Sequence, residues 1–108
     1  MLTRVISKPG TSYLCLDLGH KAIAAENPIE KRVELIGLEG STPVGQSEEH
    51  LVVEVDEPDR FKVGDAFLGL PWHICPTVAL HQEAIVIRDG EATGETWPVT
   101  ARNRRITV

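Results

Sequence analysis

Residues 70–81 read Leu-Pro-Trp-His-Ile-Cys-Pro-Thr-Val-Ala-Leu-His. This stretch holds one of the chain's two cysteines, one of its two tryptophans and two of its four histidines. It lies between two strand-like segments and is punctuated by Pro71 and Pro76. If residues 70–75 are extended, His73 and Cys75 point to the same face with Cα atoms roughly 6.5–7 Å apart. An imidazole and a thiolate at that spacing can converge on one borderline-soft metal ion such as zinc. The same residues also suit a plain structural role, a buried cysteine beside a strand-end histidine. A structural zinc needs four ligands and this pair supplies two, with His20, His50, His81 and Cys15 as candidates to complete it. An incomplete protein set is also what a catalytic metal uses, because substrate or water takes the open positions.

Outward from this stretch, the pattern is mainly β. Before it, Ala66 to Pro71 reads as a strand, and after it Pro76 suits the first turn of a short helix over Thr77 to His81. Ala84 to Arg88 is β-branched and meets Asp89-Gly90, a type I′ hairpin signal, with a return strand from Glu91 towards Trp97. In the first half, Thr3 to Ser7 and Ser12 to Asp17 read as strands, with Leu14 and Leu16 facing a core. Val33 to Leu38 is a further strand, and Glu39 to Gln46, with two glycines and a proline, reads as a loop. Leu51, Val53 and Val55 alternate with Val52, Glu54 and Asp56, the period of a half-buried strand. Ile106 to Val108 reads as a last short strand. Eight or nine short strands with one short helical turn predict a β-barrel-like domain or a sandwich.

The composition bounds the function. The chain has 108 residues, 42% hydrophobic and 25% charged, which suits one domain with one modest core. A formal net charge of −5 argues against nucleic acid as a partner. No apolar run approaches the ~20 residues of a membrane helix, and the N-terminus lacks the apolar segment of a signal peptide. Two cysteines make no disulfide framework, so reduced thiols in a cytoplasmic protein are expected. Polar clusters at Asp17-Leu-Gly-His-Lys21 and Ser47-Glu-Glu-His50 offer a general base or a carboxylate partner for a metal-bound imidazole, and both equally suit solvated loops. Arg102, Arg104 and Arg105 form a small basic tail.

Taken in order, RVISKPG at 4–10, LDLGHKAIAAENP at 16–28, SEEH at 47–50, FKVGD at 61–65, the 70–81 stretch, and IRDG followed by WPVTAR at 87–102 resemble the C-terminal domain of the D-serine dehydratase and D-threonine aldolase family. The resemblance covers nearly the whole chain and is most specific at His73-Ile-Cys-Pro-Thr77. It implies a β-barrel-like domain packed against a pyridoxal-phosphate-binding (β/α)8 barrel, in an enzyme expected to be a homodimer. It also implies His73 and Cys75 as ligands of zinc or another divalent metal such as manganese. Lys21 and His50, from the two polar clusters, are expected as active-site neighbours. Cysteine at the second ligand position looks like the dehydratase version. The metal would act as a Lewis acid on the hydroxyl of a D-3-hydroxy amino acid, for dehydration or for retro-aldol cleavage.

A (β/α)8 barrel takes roughly 200 residues or more, and none of it is present. Pyridoxal phosphate therefore enters only through that missing domain. The chain is expected to be inactive alone, whether as an excised domain, a proteolytic remnant or a separately encoded half. The alternative is a non-catalytic stand-alone β-domain serving metal binding or oligomerisation.

Overall fold

In a computed structural model, which describes Met1–Thr107, the chain forms eight strands in two sheets. The strands are β1 (Leu2–Ser7), β2 (Tyr13–Leu16), β3 (Val33–Ile36), β4 (Thr42–Gln46), β5 (Leu51–Glu54), β6 (Ala66–Pro71), β7 (Glu83–Arg88) and β8 (Glu91–Pro98). One short helix, α1 (Ile74–Val78), joins β6 to β7. The first six strands make one antiparallel sheet in the order β3-β6-β1-β2-β5-β4, and β7 and β8 make a second, two-stranded one. The larger sheet curls into a half-barrel, in keeping with the mainly β, barrel-like expectation.

Alternation builds the core. Val5, Leu14, Leu16, Val33, Leu35, Leu51 and Val53 point to the concave side and are buried there with Leu18, Ile23, Leu38 and Val55 from the connecting loops. Gly69 on β6 faces the same interior. A Cβ at that position would lie 2.8 Å from Val33 Cγ2, so the absence of a side chain lets β3 and its neighbours close over the core. The two edge strands are drawn together at one end. Arg32, just before β3, donates from Nε to the Asn27 carbonyl (2.7 Å) and from Nη1 to Gln46 Oε1 on β4 (2.8 Å). Gln46 in turn donates to the Leu18 carbonyl (2.8 Å).

Three segments differ from their sequence reading. Residues 42–46 are strand β4 rather than loop. The strand lies at the sheet edge, where the missing N–H of Pro43 costs nothing, and its register shifts between Pro43 and Gly45. The helix begins at Ile74, not after Cys75, with His73 as its N-terminal flanking residue. No strand forms at Ile106-Thr107, and Val108 lies outside the described residues; Ile106 is 86% exposed. The hairpin reading holds: Asp89 and Gly90 both take positive φ, 51° and 82°, as a type I′ turn requires.

Asp17 anchors the β1–β2 pair. Its Oδ1 accepts from the Thr3 hydroxyl (2.9 Å) and the Arg4 backbone N–H, and its Oδ2 accepts from Arg4 Nε (3.1 Å) and Nη2 (2.9 Å). Burial works against the charged carboxylate. The Arg4 backbone N–H, the Thr3 hydroxyl and the Arg4 guanidinium together outweigh it, so its pKa falls below the ordinary 3.8. A depressed folded-state pKa stabilises fully above the unfolded value and is lost as pH falls through the folded one. Asp17→Asn should therefore cost about 1 kcal/mol at neutral pH, discounted for partial exposure, and flatten the stability loss below about pH 4. Urea midpoints measured from pH 7 to pH 2.5 check this.

Candidate metal centre

β6 ends at Pro71, where its N–H-lacking ring stands opposite Val33. The Trp72 backbone still donates to the Arg32 carbonyl (3.1 Å), which keeps the chain against the sheet for one more residue. The backbone then turns. His73 is extended (φ −124°, ψ 100°), and Ile74 and Cys75 are the first two residues of α1. The extended six-residue path that would have put His73 and Cys75 on one strand face is therefore replaced by a strand-to-helix junction. Both side chains remain exposed there, and Cys75 is a free thiol.

The junction is fastened from beneath by Thr77, which is 1% exposed. Its hydroxyl donates to the His73 carbonyl (2.8 Å) and accepts the buried Ala24 N–H (3.1 Å). His81 donates from Nε2 to the Ala22 carbonyl (2.8 Å). Two side chains from 74–81 thus hold the loop at 22–26 against the helix, with Ile23 and Ala24 buried below. That loop carries Glu26 to His73, where Glu26 Oε1 accepts a hydrogen bond from His73 Nδ1. The Glu26 carboxyl lies below its ordinary range, first through its own backbone N–H and then, against some desolvation, through His73 and Arg32. Glu26 was not singled out by sequence reading. The only signal was its place in the AIAAENP segment, and nothing local ties that segment to His73.

The other sequence candidates divide. The clusters at 17–21 and 47–50 do come together, through backbone hydrogen bonds and through the Lys21 side chain. His20 N–H donates to the Ser47 carbonyl (2.9 Å) and Lys21 N–H to the Glu48 carbonyl (3.0 Å). Lys21 Nζ pairs with Glu49 (2.6 Å) and Glu48 (3.3 Å), which raises its pKa, Glu49 contributing first. It is thereby held as a cation. The rings of His20 and His50 are exposed, and Cys15 is buried within β2. Among the described residues no group of three or more His, Cys, Asp or Glu side chains is placed to hold a metal. Two open grooves run past Gly37–Ser41, and neither includes His73 or Cys75.

Comparison with known proteins places this junction in a family. The family described as "Putative serine dehydratase domain" matches residues 1–87. The chain belongs to that family. A D-threonine aldolase from Arthrobacter sp is 35% identical over 104 residues, and a 3-hydroxy-D-aspartate aldolase from Paracoccus denitrificans is 30% identical over 104. The alignments cover 94% and 96% of this serine dehydratase-family chain, yet 26% of each relative, so the chain spans about a quarter of their length. The crystal structure of D-threonine aldolase from Filomicrobium marinum superposes with a TM-score of 0.79 at 25% identity, covering 94% of this chain and 27% of that one. An alanine racemase-like protein from Idiomarina loihiensis gives a TM-score of 0.68 at 26% identity, with 90% and 30% covered. The fold is shared as well with D-threo-3-hydroxyaspartate dehydratase from Delftia sp. HT23, at a TM-score of 0.69 and 22% identity over 90% of this chain and 30% of that one.

The contact between the two loops gives a test of what holds this region. A Cβ on Gly19 would lie 2.2 Å from the Glu48 carbonyl oxygen and 2.3 Å from Glu49 N. Neither atom can swing away as a side chain could. Gly19→Ala should destabilise the domain by on the order of 2–3 kcal/mol. Gly45→Ala, whose Cβ meets nothing within 4 Å, should stay within about 0.5 kcal/mol of the parent. Urea denaturation of the two variants makes the comparison.

Proposed function

We propose that this chain is the metal-binding domain of a pyridoxal-phosphate-dependent lyase acting on D-3-hydroxy amino acids, with His73 and Cys75 as its metal ligands. The observation that carries the reading is the strand-to-helix junction itself. It presents an imidazole with one ring nitrogen engaged by Glu26 and a free, exposed thiol two residues later, in a chain of the serine dehydratase domain family.

The donor set fits a borderline-soft divalent ion, zinc first and manganese less well, since manganese favours oxygen ligands. Bound there, the ion would act as a Lewis acid on the substrate's β-hydroxyl group. His73 would give Nε2, because Nδ1 is committed to Glu26, and Cys75 would bind as the thiolate, so affinity should fall as pH drops. Support also comes from the Delftia dehydratase, for which structures exist of a histidine-to-alanine variant and, in a metal-free form, of a cysteine-to-alanine variant two positions further on. That is the spacing of His73 and Cys75. The relatives include both aldolases and a dehydratase, and polarising a β-hydroxyl group serves either reaction.

The rest of such an enzyme would supply the cofactor, from a (β/α)8 barrel. The convex face of the β3-β6-β1 half-sheet offers it a landing surface. Leu2, Leu68 and Ile36 lie in one cross-strand row, with Leu70 in the next row, and they are 66, 56, 45 and 53% exposed. A contiguous apolar patch of this kind marks an interaction site.

Two measurements test the proposal in the domain joined to its barrel. His73→Ala and Cys75→Ala should each lower zinc content and reduce turnover at least 100-fold, on the order of the 2.7 kcal/mol that a transition-state charge contact supplies; unchanged zinc occupancy in both sinks the assignment. Leu68→Lys should leave the stability of the 108-residue chain within about 0.5 kcal/mol yet weaken its association with a separately produced barrel, as read by analytical ultracentrifugation.

A further inference from the structure

Resting on the metal reading above, we propose that Glu26 is the positioning residue of the centre: it holds His73 in the Nδ1–H form and turns Nε2 outward as the metal donor. A neutral imidazole carries its proton on one nitrogen and offers the other as a ligand, and the partner of the protonated nitrogen decides which is which. A carboxylate only accepts. The Glu26–Nδ1 contact therefore requires the proton on Nδ1 and leaves the Nε2 lone pair free. Metal-binding histidines commonly use a carboxylate in this way.

The rest of the junction is built to deliver that contact. Glu26 lies 47 residues from His73 in sequence, in a loop with no regular structure of its own. The Thr77 hydroxyl touches both sides at once, bonding the Ala24 N–H two residues before Glu26 and the carbonyl of His73 itself. His81 pins Ala22 at the start of the same loop. Arg32 fastens its other end through the Asn27 carbonyl, the residue after Glu26. The loop is thus clamped on both flanks of Glu26, while Glu26 and His73 stay half-exposed, 46% and 48% by side chain. An ordinary surface His–Glu pair would contribute little to stability. The clamping is hard to account for by such a pair and is what a ligand held at a fixed angle needs.

The test uses Glu26→Ala and Glu26→Gln, read in two ways. In the metal-free 108-residue chain, at a pH where the ring is neutral, two-bond ¹H–¹⁵N spectra report which His73 nitrogen is protonated. The parent and Glu26→Gln, which keeps an acceptor oxygen, should show Nδ1 protonated. Glu26→Ala should move the ring towards the Nε2–H form. In the domain joined to its barrel, Glu26→Ala should lower zinc affinity about 10-fold or more, and Glu26→Gln should recover part of that loss. A ring tautomer unchanged in Glu26→Ala, or zinc affinity within twofold of the parent, overturns the role of Glu26 while leaving the metal site standing. A parent enzyme that binds no zinc, with the tautomer shift present, overturns the metal reading and leaves the orientation of His73 by Glu26 intact.

Discussion

The candidate centre hangs on one buried hydroxyl. Among the described residues, Thr77 Oγ1 is the only side-chain group that bonds both the 22–26 loop and the strand-to-helix junction, accepting from Ala24 and donating to His73. Both partners are backbone groups that the fold removes from the sheet ladders. Left without Thr77, the buried Ala24 N–H would lose its partner, at a cost of about 1–3 kcal/mol for an unsatisfied donor. A residue that satisfies two such groups while fully buried fixes the two segments relative to each other more tightly than surface pairs could. The positions of Glu26 and His73 follow from that fixing.

The half-barrel explains why the site stands where it does. Its concave side is filled by its own alternating strands and by Leu18, Ile23 and Leu38 from the loops. The convex side of β3-β6-β1, the β7–β8 hairpin and the 70–75 junction are left facing outward. None of the hairpin's residues is fully buried, and Ile85, Ile87 and Trp97 are 65, 58 and 61% exposed. The molecule is accordingly elongated, 53 × 35 × 19 Å. A short two-stranded ribbon is marginal on its own in water, so these surfaces suit a domain that finishes its packing against more protein. That agrees with a chain spanning about a quarter of its aldolase relatives.

Much of the fold was legible residue by residue. The alternation at Leu14–Leu16 and Leu51–Val55 identified the core face, and Asp89-Gly90 identified the hairpin, because burial and positive φ leave local signatures. Strand β4 was not legible, since Pro43 and Gly45 are loop residues except at a sheet edge, and edge position is a property of the assembled sheet. The start of α1 at Ile74 was missed for a related reason: a helix of five residues has no periodicity to read, and its place is set by the Thr77 bond to the His73 carbonyl. The clusters at 17–21 and 47–50 were each visible, but their union depends on Gly19 letting two backbones touch.

The sequence by itself determined the mainly β architecture and the family, and it singled out His73 and Cys75 as the candidate pair, because periodicity, turn chemistry and motif order are written along the chain. Only the tertiary structure decided that the pair sits at a strand-to-helix turn and that a carboxylate from the 22–26 loop engages His73. Contacts across 47 residues carry no local signature. They exist only once a buried core has brought distant segments together, and here Thr77, His81 and Arg32 then hold the 22–26 loop in place beside the junction.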